Sequence, residues 1–259
     1  VGERSLSIVR VPLAGIEPGA RRLDQEAAHY IRHVLRLQPG DRLQVFDPEQ
    51  ATEAEATVVS IHRDRVVCEL SDVKTASCVP STPAWLLLGL CKTESFAWAL
   101  REATALGVTD IVPLMLSRSA SSTHRPDAKR MVRWRKILVQ GARQCGRGNI
   151  PILHDVCTLE QSLSRVPDSL VRLCLWEKAT EPVGKWIRTA RNGVALIIGP
   201  EGGIENEEAR QAEASGFILG SLGGLILRTE TAVLAALGAW HLSREESQGV
   251  DVKLVCPME

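Results

Sequence analysis

The chain has 259 residues, 44% of them apolar, which is ordinary for a globular protein of one large or two modest domains. Its 31 basic and 31 acidic residues give a formal net charge of zero, so it lacks the overall basic excess of many nucleic-acid-binding proteins. The seven cysteines are scattered and never spaced as C-x-x-C, which argues against a disulfide framework and a zinc site and predicts a reducing compartment.

The first part of the chain predicts a small β-barrel. Short strand patterns run from residue 4 to about residue 70, with alternation clearest in 53–59, and one helix is predicted over 24–35. On that helix His29 and His33 have the spacing of a metal-binding pair, but no HExxH pattern or third ligand accompanies them. We therefore predict no metal site, and a basic stripe of Arg32, His33 and Arg36 that faces RNA.

A polar, proline-bearing segment, residues 72–83, predicts a linker. Beyond it strands alternate with helices, which is typical of a mostly parallel α/β sheet. These predicted elements are 85–90, 95–106, 110–114, 128–145, 158–163, 171–176, 182–190, 194–198, 205–215, 217–222 and 229–242. The predicted division is a first domain at 1–74, a linker at 75–83, a second domain at 84–247 and a tail at 248–259.

Basic residues concentrate in one stretch, where the only acid is Asp127. They are Arg125, Lys129, Arg130, Arg133, Arg135, Lys136, Arg143 and Arg147. Fixed cations gain affinity for RNA by releasing counterions from its backbone, so the stretch predicts a phosphate-contacting face. The alternative is an ordinary solvated helix surface.

Two glycine turns follow apolar runs in the last quarter of the chain. Residues 194–198 (VALII) lead into 199–203 (GPEGG), and 217–220 lead into 221–228 (SLGGLILR). Such runs predict strands buried on both faces, so both turns should lie at the carboxyl edge of a parallel sheet, where ligands bind. The alternative is two ordinary strand-to-helix turns. Arg228, Thr229 and Glu230 at the start of the following helix favour a ligand site.

The same residues resemble a known family. Residues 198–203 (IGPEGG), 222–223 (LG) and 226–232 (ILRTETA) resemble the signature of SPOUT-class methyltransferases that modify N3 of a uridine in small-subunit ribosomal RNA. Residues 29–46 resemble that family's N-terminal PUA-like barrel. Stretches at 106–119 and 144–151 extend the resemblance over most of the chain.

The resemblance implies a fold and a set of partners. The fold is α/β, a C-terminal trefoil-knotted SPOUT domain with a parallel sheet, plus a small N-terminal PUA-like β-barrel. The cofactor is S-adenosylmethionine, and the substrate is small-subunit ribosomal RNA or the assembled small subunit. A homodimer is implied, and residues 232–240, apolar nearly all round, predict a helix buried on more than one side.

No apolar run approaches a membrane span and no signal peptide is expected. We therefore expect a cytoplasmic protein, or one of an organellar matrix or stroma, with no membrane or metal partner.

The resemblance also assigns site residues. Those implied to contact the cofactor are Leu175, Trp176, Ile198, Gly199, Pro200, Glu201, Gly202, Gly203, Leu222, Gly223, Ile226, Leu227, Thr229 and Ala232. A side chain at Gly202 is expected to block the cofactor without unfolding the protein. The predicted RNA contacts are Arg32, His33, Arg36, Lys92, Arg118, Arg133, Arg135, Arg143 and Arg147.

For the chemistry, we expect Arg228 to stabilise the charge that develops on the uracil carbonyls, and Glu201 or Glu230 to accept a proton or orient the arginine. The alternative is that Arg228 and Glu230 only brace the loop.

The chain also departs from the family pattern at Glu102, Ala105, Gln140, Arg143 and Leu225, positions that we expect to alter the RNA side of the site. These departures keep open a ribosome- or RNA-binding SPOUT protein with an altered target or lost catalysis. A Rossmann methyltransferase or dehydrogenase would require a G-x-G-x-x-G fingerprint after an early strand, and the chain has none.

Overall fold

The computed structural model describes residues 9–62, 65–120 and 127–248, with side chains to residue 244. The chain folds into two compact units. The first contains the described residues up to Val79 together with Ala142–Ile150, and the second contains Pro80–Gly141 and the described residues from Pro151 to Gln248. The first unit is larger than the predicted domain at 1–74, because a segment distant in sequence returns to it.

The first unit is built on a mostly antiparallel sheet in the order β1-β3-β4-β5-β2, with β6 beside β4. The strands are β1 (Arg10–Pro12), β2 (Gly19–Arg22), β3 (Arg42–Asp47), β4 (Thr52–His62), β5 (Arg65–Leu70) and β6 (Lys74–Thr75). The alternation predicted for 53–59 places Ala54, Ala56 and Val58 in the core. Strand β6 lies inside the predicted linker and pairs with the start of β4.

The helix predicted over 24–35 begins as expected and ends differently. Asp24 caps α1 (Gln25–His29), its carboxylate accepting a hydrogen bond from the amide of Ala27 at 2.8 Å. A π-helical turn (Tyr30–Val34) then replaces regular helix, and Arg36 takes a left-handed backbone conformation with φ of 55°. The basic residues of the turn, Arg32 and His33, are exposed.

The second unit contains a parallel sheet in the order β10-β8-β7-β12-β11-β13, with β9 beside β8, which confirms the predicted α/β class. Its strands are β7 (Ala84–Gly89), β8 (Asp110–Met115), β9 (Ile152–Leu153), β10 (Cys157–Thr158), β11 (Val171–Leu175), β12 (Val194–Ile198) and β13 (Ile218–Gly220). Its helices are α2 (Thr93–Ala105), α3 (Ala128–Cys145), α4 (Leu159–Leu163), α5 (Gly184–Thr189), α6 (Asn206–Ala214) and α7 (Thr229–Gln248). The last residues of α3 belong to the first unit.

Strand β12 lies between β7 and β11, and all five of its residues are buried. Covered faces on both sides explain its uninterrupted apolar sequence. The same position places the loop that follows β12 between neighbouring strand ends.

Over the part of helix α7 whose side chains are described, up to residue 244, one face is buried. Ala232, Val233, Ala236, Leu237 and Trp240 are buried, and the Trp240 indole donates to the carbonyl of Ala190 at 3.0 Å. The opposite face is exposed, although the sequence predicts burial on more than one side.

Among the residues that the structure describes, no helix is both long and apolar enough to cross a bilayer.

Candidate functional site

Three loops meet at the carboxyl edge of the parallel sheet. The last residues of three adjacent strands are in register, since Leu175 of β11 pairs with Ile198 of β12 and Gly220 of β13. The loops that follow these strands enclose a cavity of about 460 Å³. This volume lies in the range of small-molecule sites, and the edge is the one where ligands bind in parallel α/β sheets.

Every residue implied to contact the cofactor lines this cavity, and so does Arg228. The cavity also has lining residues that were not among the predicted cofactor contacts, which are Glu177, Ile204, Gly220, Ser221, Gly224 and Leu225. Most of these adjoin named positions, so extending each loop by one or two residues would have found them. Glu177 comes two residues after β11, but nothing in its sequence pattern distinguishes it from a surface acid.

Hydrogen bonds tie the three loops together. The Thr229 hydroxyl donates to the carbonyl of Gly199 at 3.0 Å, and the Trp176 indole donates to the carbonyl of Ile204 at 3.0 Å. The amide of Ser221 donates to the carbonyl of Glu181 at 2.8 Å. The cavity walls are therefore braced before any ligand binds.

Gly202 has a different role from the one expected. A Cβ at this position would lie 2.7 Å from the Cβ of Arg118 and 3.1 Å from its carbonyl oxygen. The glycine is required because the loop packs against the protein's own backbone there. A substitution at Gly202 would therefore strain the loop itself, so a loss of cofactor binding in such a variant would not by itself show that the cofactor contacts Gly202.

Gly224 is the cavity-lining glycine that accepts a side chain. A Cβ there meets no atom within 4 Å, and its φ lies outside the left-handed range, unlike that of Gly223 at 136°. A larger residue at Gly224 would meet no protein atom there and, because Gly224 lines the cavity, would reduce the space open to a ligand.

Two residues predicted to contact RNA, Arg118 and Lys92, also form hydrogen bonds with the loop that follows β12. The Arg118 guanidinium donates to the carbonyl of Gly202 at 3.0 Å and pairs with Glu205 at 3.3 Å. The backbone amide of Lys92 donates to the carboxylate of Glu201 at 3.0 Å, although the Lys92 side chain is exposed.

The three predicted catalytic side chains differ in their surroundings. Arg228 is exposed at the cavity. Glu201 lines the cavity and is held by the Lys92 amide. Glu230 is not among the cavity-lining residues, and its Oε2 is buried without a hydrogen-bond partner in the described chain.

The thiol of Cys91 interacts electrostatically with the carboxylates of Glu201 and Glu230. Burial raises the pKa of its thiol to about 12, and the negative charges of Glu201 and Glu230 add to the increase. Cys91 is therefore a protonated thiol at neutral pH and supplies no thiolate nucleophile.

The remaining predicted RNA contacts divide by exposure. Arg133 and Arg135 are exposed on α3, and Arg36 is exposed in the first unit with Arg32 and His33. The Arg143 guanidinium stacks over the ring of Tyr30 at 4.2 Å and is half-buried. Arg125 lies outside the described residues.

The prediction that Arg147 contacts phosphate is wrong, because this side chain is buried. It is only 2% exposed, its Nε donates to Asn149 at 2.8 Å, and its carbonyl accepts a hydrogen bond from Arg10. Burial lowers the pKa of its guanidinium to about 10. A side chain held in this way is a packing element of the first unit and does not face solvent.

Within the described residues, no group of three or more His, Cys, Asp or Glu side chains is arranged to hold a metal ion. The rings of His29 and His33 contact each other in a tilted arrangement, with centroids 4.7 Å apart.

Comparison with known proteins defines the family. Residues 79–241 match the RNA methyltransferase domain family, and residues 23–71 match the RNA methyltransferase PUA domain. The chain belongs to this family of RNA methyltransferases, which confirms the resemblance found in the sequence.

Individual relatives agree. The ribosomal RNA small subunit methyltransferase E of Bacillus subtilis is 30% identical over 233 residues, which cover 86% of this chain and 90% of the relative. A methyltransferase of Legionella pneumophila, solved with its cofactor S-adenosylmethionine, superposes with a TM-score of 0.81 at 29% identity, covering 92% of this chain and 98% of that one. The ribosomal RNA small subunit methyltransferase E of Neisseria gonorrhoeae, solved with S-adenosylmethionine, superposes with a TM-score of 0.81 at 26% identity. The match covers 91% of this chain and 97% of that one.

Proposed function

We propose that this chain transfers a methyl group from S-adenosylmethionine to N3 of a uridine in small-subunit ribosomal RNA. The observation that carries the proposal is the cavity at the carboxyl edge of the sheet, where three loops converge and Arg228 and Glu201 lie in the wall. This chain aligns with most of the length of relatives that are named as small-subunit ribosomal RNA methyltransferases.

The cavity fits the proposed cofactor. Apolar side chains that include Leu175, Ile198 and Leu227 offer a wall for an aromatic base, and backbone carbonyl and amide groups of the glycine loops supply polar contacts. Gly224 lines the cavity and carries no side chain, so its backbone can approach a ligand closely. When bound there, S-adenosylmethionine would supply an electrophilic methyl group.

The side chains around the cavity suit attack by a ring nitrogen. Loss of the N3 proton places negative charge on the uracil carbonyl oxygens, and the exposed guanidinium of Arg228 can stabilise that charge as it develops. Our candidate for accepting the proton is Glu201, because it lines the cavity and its carboxylate accepts a hydrogen bond from the Lys92 amide. Glu230 lies in the first turn of α7, where a negative charge stabilises the helix by interacting with its dipole.

Methylation of a uracil carbon is a different reaction, because it needs a thiolate that first adds to the ring. Cys91 is buried and protonated, so it does not provide that nucleophile. Methylation of N3 requires no thiolate, so the residues around the cavity are consistent with that reaction.

The decisive experiment measures methyl transfer from labelled S-adenosylmethionine into unmodified small-subunit RNA and into assembled subunits. Digestion of the product to nucleosides should yield 3-methyluridine. Cofactor binding without any transfer would instead support an RNA-binding protein that has lost catalysis, and a different methylated nucleoside would contradict N3 as the target.

The exposed face of α3 is the proposed RNA contact in the second unit. Lys129, Arg133, Arg135 and Lys136 are exposed along it. We expect the double variant Arg133→Ala/Arg135→Ala to weaken RNA binding whatever the sequence, and to flatten its salt dependence by roughly one unit of slope per lost contact. Binding measured by fluorescence anisotropy across a salt series checks this.

The matched control is Arg188→Ala/Arg210→Ala, which removes two exposed arginines from α5 and α6. Its salt slope should equal that of the unaltered protein. If the α3 variant keeps the same slope, its arginines face solvent only and the RNA path lies elsewhere.

We also propose that the chain acts as a homodimer through α7. The exposed face of this helix carries small and apolar residues at helical spacing, with side-chain exposure of 40% at Leu234 and 57% at Leu242. The members of this face are Thr231, Leu234, Ala235, Gly238, Ala239 and Leu242. A second copy would cover the apolar face that this chain leaves open. The trefoil knot stays a prediction from the family.

A charge in that face should prevent association. We expect Leu234→Glu to give the monomer mass by light scattering at micromolar concentration, where the unaltered protein gives the dimer mass, because an unpaired buried carboxylate is costly. Val132→Glu, at another exposed apolar position with 57% exposure, should stay dimeric. A monomeric unaltered protein would contradict the proposal.

A further inference from the structure

Two free thiols lie in the first unit, away from the candidate site. Cys78 and Cys145 are exposed, whereas the other cysteines of the described chain are buried, namely Cys68, Cys91, Cys157 and Cys174. Burial raises the pKa of the Cys68 thiol to about 11 and those of Cys91 and Cys174 to about 12. Within the described residues, Cys78 and Cys145 are therefore the thiols that a reagent in solution can reach.

Backbone contacts bring the segments of these two cysteines together. The amide of Gly148 donates to the carbonyl of Cys78 at 2.7 Å, and a Cβ at Gly148 would overlap that of Ala76. Cys145 precedes Gly148 by three residues, and Gly146, with φ of 84°, turns the chain between them. The end of α3 is therefore held against the Cys78 segment, although the two cysteines are far apart in the sequence.

Both thiols also lie near the same two arginines. The Cys145 thiol donates to the carbonyl of Ala142 at 3.7 Å, and the Arg10 guanidinium donates to that carbonyl at 3.5 Å and to the carbonyl of Arg147 at 3.0 Å. Burial lowers the pKa of the Arg147 guanidinium to about 10, and the thiolates of Cys145 and Cys78 oppose this decrease. They act in the same direction on Arg10. The two sulfurs therefore belong to one cluster.

We propose that Cys78 and Cys145 form a reversible disulfide when the protein is exposed to a small disulfide such as oxidised glutathione. A disulfide requires two sulfurs that can approach each other without unfolding the chain, and exposed thiols on segments joined by a backbone hydrogen bond meet this requirement. The bond would connect the segment that follows β6 to the end of α3. This proposal does not depend on the proposed function.

The reaction is a two-step exchange. One cysteine thiolate attacks oxidised glutathione, which breaks its S–S bond, forms a mixed disulfide and releases one glutathione thiolate. The second cysteine thiolate attacks the mixed disulfide, which forms the bond between the two cysteines and releases the second glutathione. The two cysteines lose two electrons and two protons in all, and the two glutathione molecules take them up.

Arg147 assists the thiolate form of Cys145. Partial burial of the sulfur raises the pKa of the Cys145 thiol, and the amide and the charge of Arg147 oppose this increase. A nearby cation favours the thiolate, which is the form that attacks a disulfide.

The test is an exchange experiment on the folded protein. The unaltered chain, Cys78→Ser, Cys145→Ser and the control Cys256→Ser, whose residue lies outside the described part of the chain, are each incubated with oxidised glutathione. Remaining thiols are alkylated, and the non-reduced tryptic digest is analysed by tandem mass spectrometry. Cys91 lies in the same tryptic peptide as Cys78, so Cys78→Ser decides which of the two sulfurs is joined.

The unaltered chain and Cys256→Ser should give the Cys78 peptide joined to the Cys145 peptide, two hydrogen atoms lighter than the separate peptides together. Dithiothreitol should restore both thiols. Cys78→Ser and Cys145→Ser should give no such pair, and each should keep glutathione on its remaining exposed cysteine. Glutathione on both cysteines of the unaltered chain without a link between them, a link to Cys256, or no reaction would overturn the proposal. The measurement uses neither methyl donor nor RNA, so its result is separate from that of the methyl-transfer experiment.

Discussion

Replacing Arg228 with alanine should lower methyl transfer by roughly 10²- to 10³-fold at saturating RNA, because the variant loses the charge that stabilises the developing uracil anion. S-adenosylmethionine affinity should stay within a few fold, since the Arg228 side chain is exposed and makes no bond between the three loops. Single-turnover transfer from labelled cofactor, together with calorimetry, measures both quantities.

Arg228→Lys is the matched variant, because it keeps the positive charge but loses the planar guanidinium. It should retain more transfer than the alanine variant. Joint loss of cofactor binding and fold in Arg228→Ala would mean that the arginine braces its loop, and normal turnover would move the charge-stabilising role to another cation such as Lys92.

Valine at Gly224 should abolish most S-adenosylmethionine binding, with a loss on the order of 100-fold, because its branched side chain takes space that the ligand needs. The protein should stay folded, since the added Cβ meets no atom within 4 Å and the backbone needs no left-handed conformation. Calorimetric affinity and the thermal unfolding midpoint are the two measurements.

Gly202→Val provides the contrast. Its Cβ would lie 2.7 Å from that of Arg118, so we expect its unfolding midpoint to fall by several degrees. Unchanged affinity in a folded Gly224 variant would remove that stretch of the loop from the cofactor site. Equal stability of the two variants would contradict the contacts at Gly202.

The local sequence pattern was sufficient to predict the bounds of an element where the residues at its two ends mark those bounds. The bounds predicted for β12, 194–198, are the observed ones, because a fully apolar run is enclosed by Gly193 and Gly199. The prediction of α3 over 128–145 is also confirmed, because its apolar residues recur at helical spacing along one face. The two-residue strands β9 and β10 were missed because they carry no periodicity of their own.

The candidate site divides in the same way. The glycine loops could be assigned to one strand-end cavity because parallel strands bring their carboxyl ends to one edge. The contacts of single residues could not be predicted. Gly202 meets Arg118 and Gly203 meets Glu177, and these partners are distant in sequence.

The amino-acid sequence by itself determined the class of fold, the edge of the sheet that carries the site, and the chemical character of its loops. Only the tertiary structure decided which charges are available. Arg133 and Arg147 belong to one basic stretch, yet the first is exposed and the second is 2% exposed. The physical reason is that periodicity is a local property of the chain, whereas burial depends on which distant segments pack against a residue, as residues 142–150 do in the first unit.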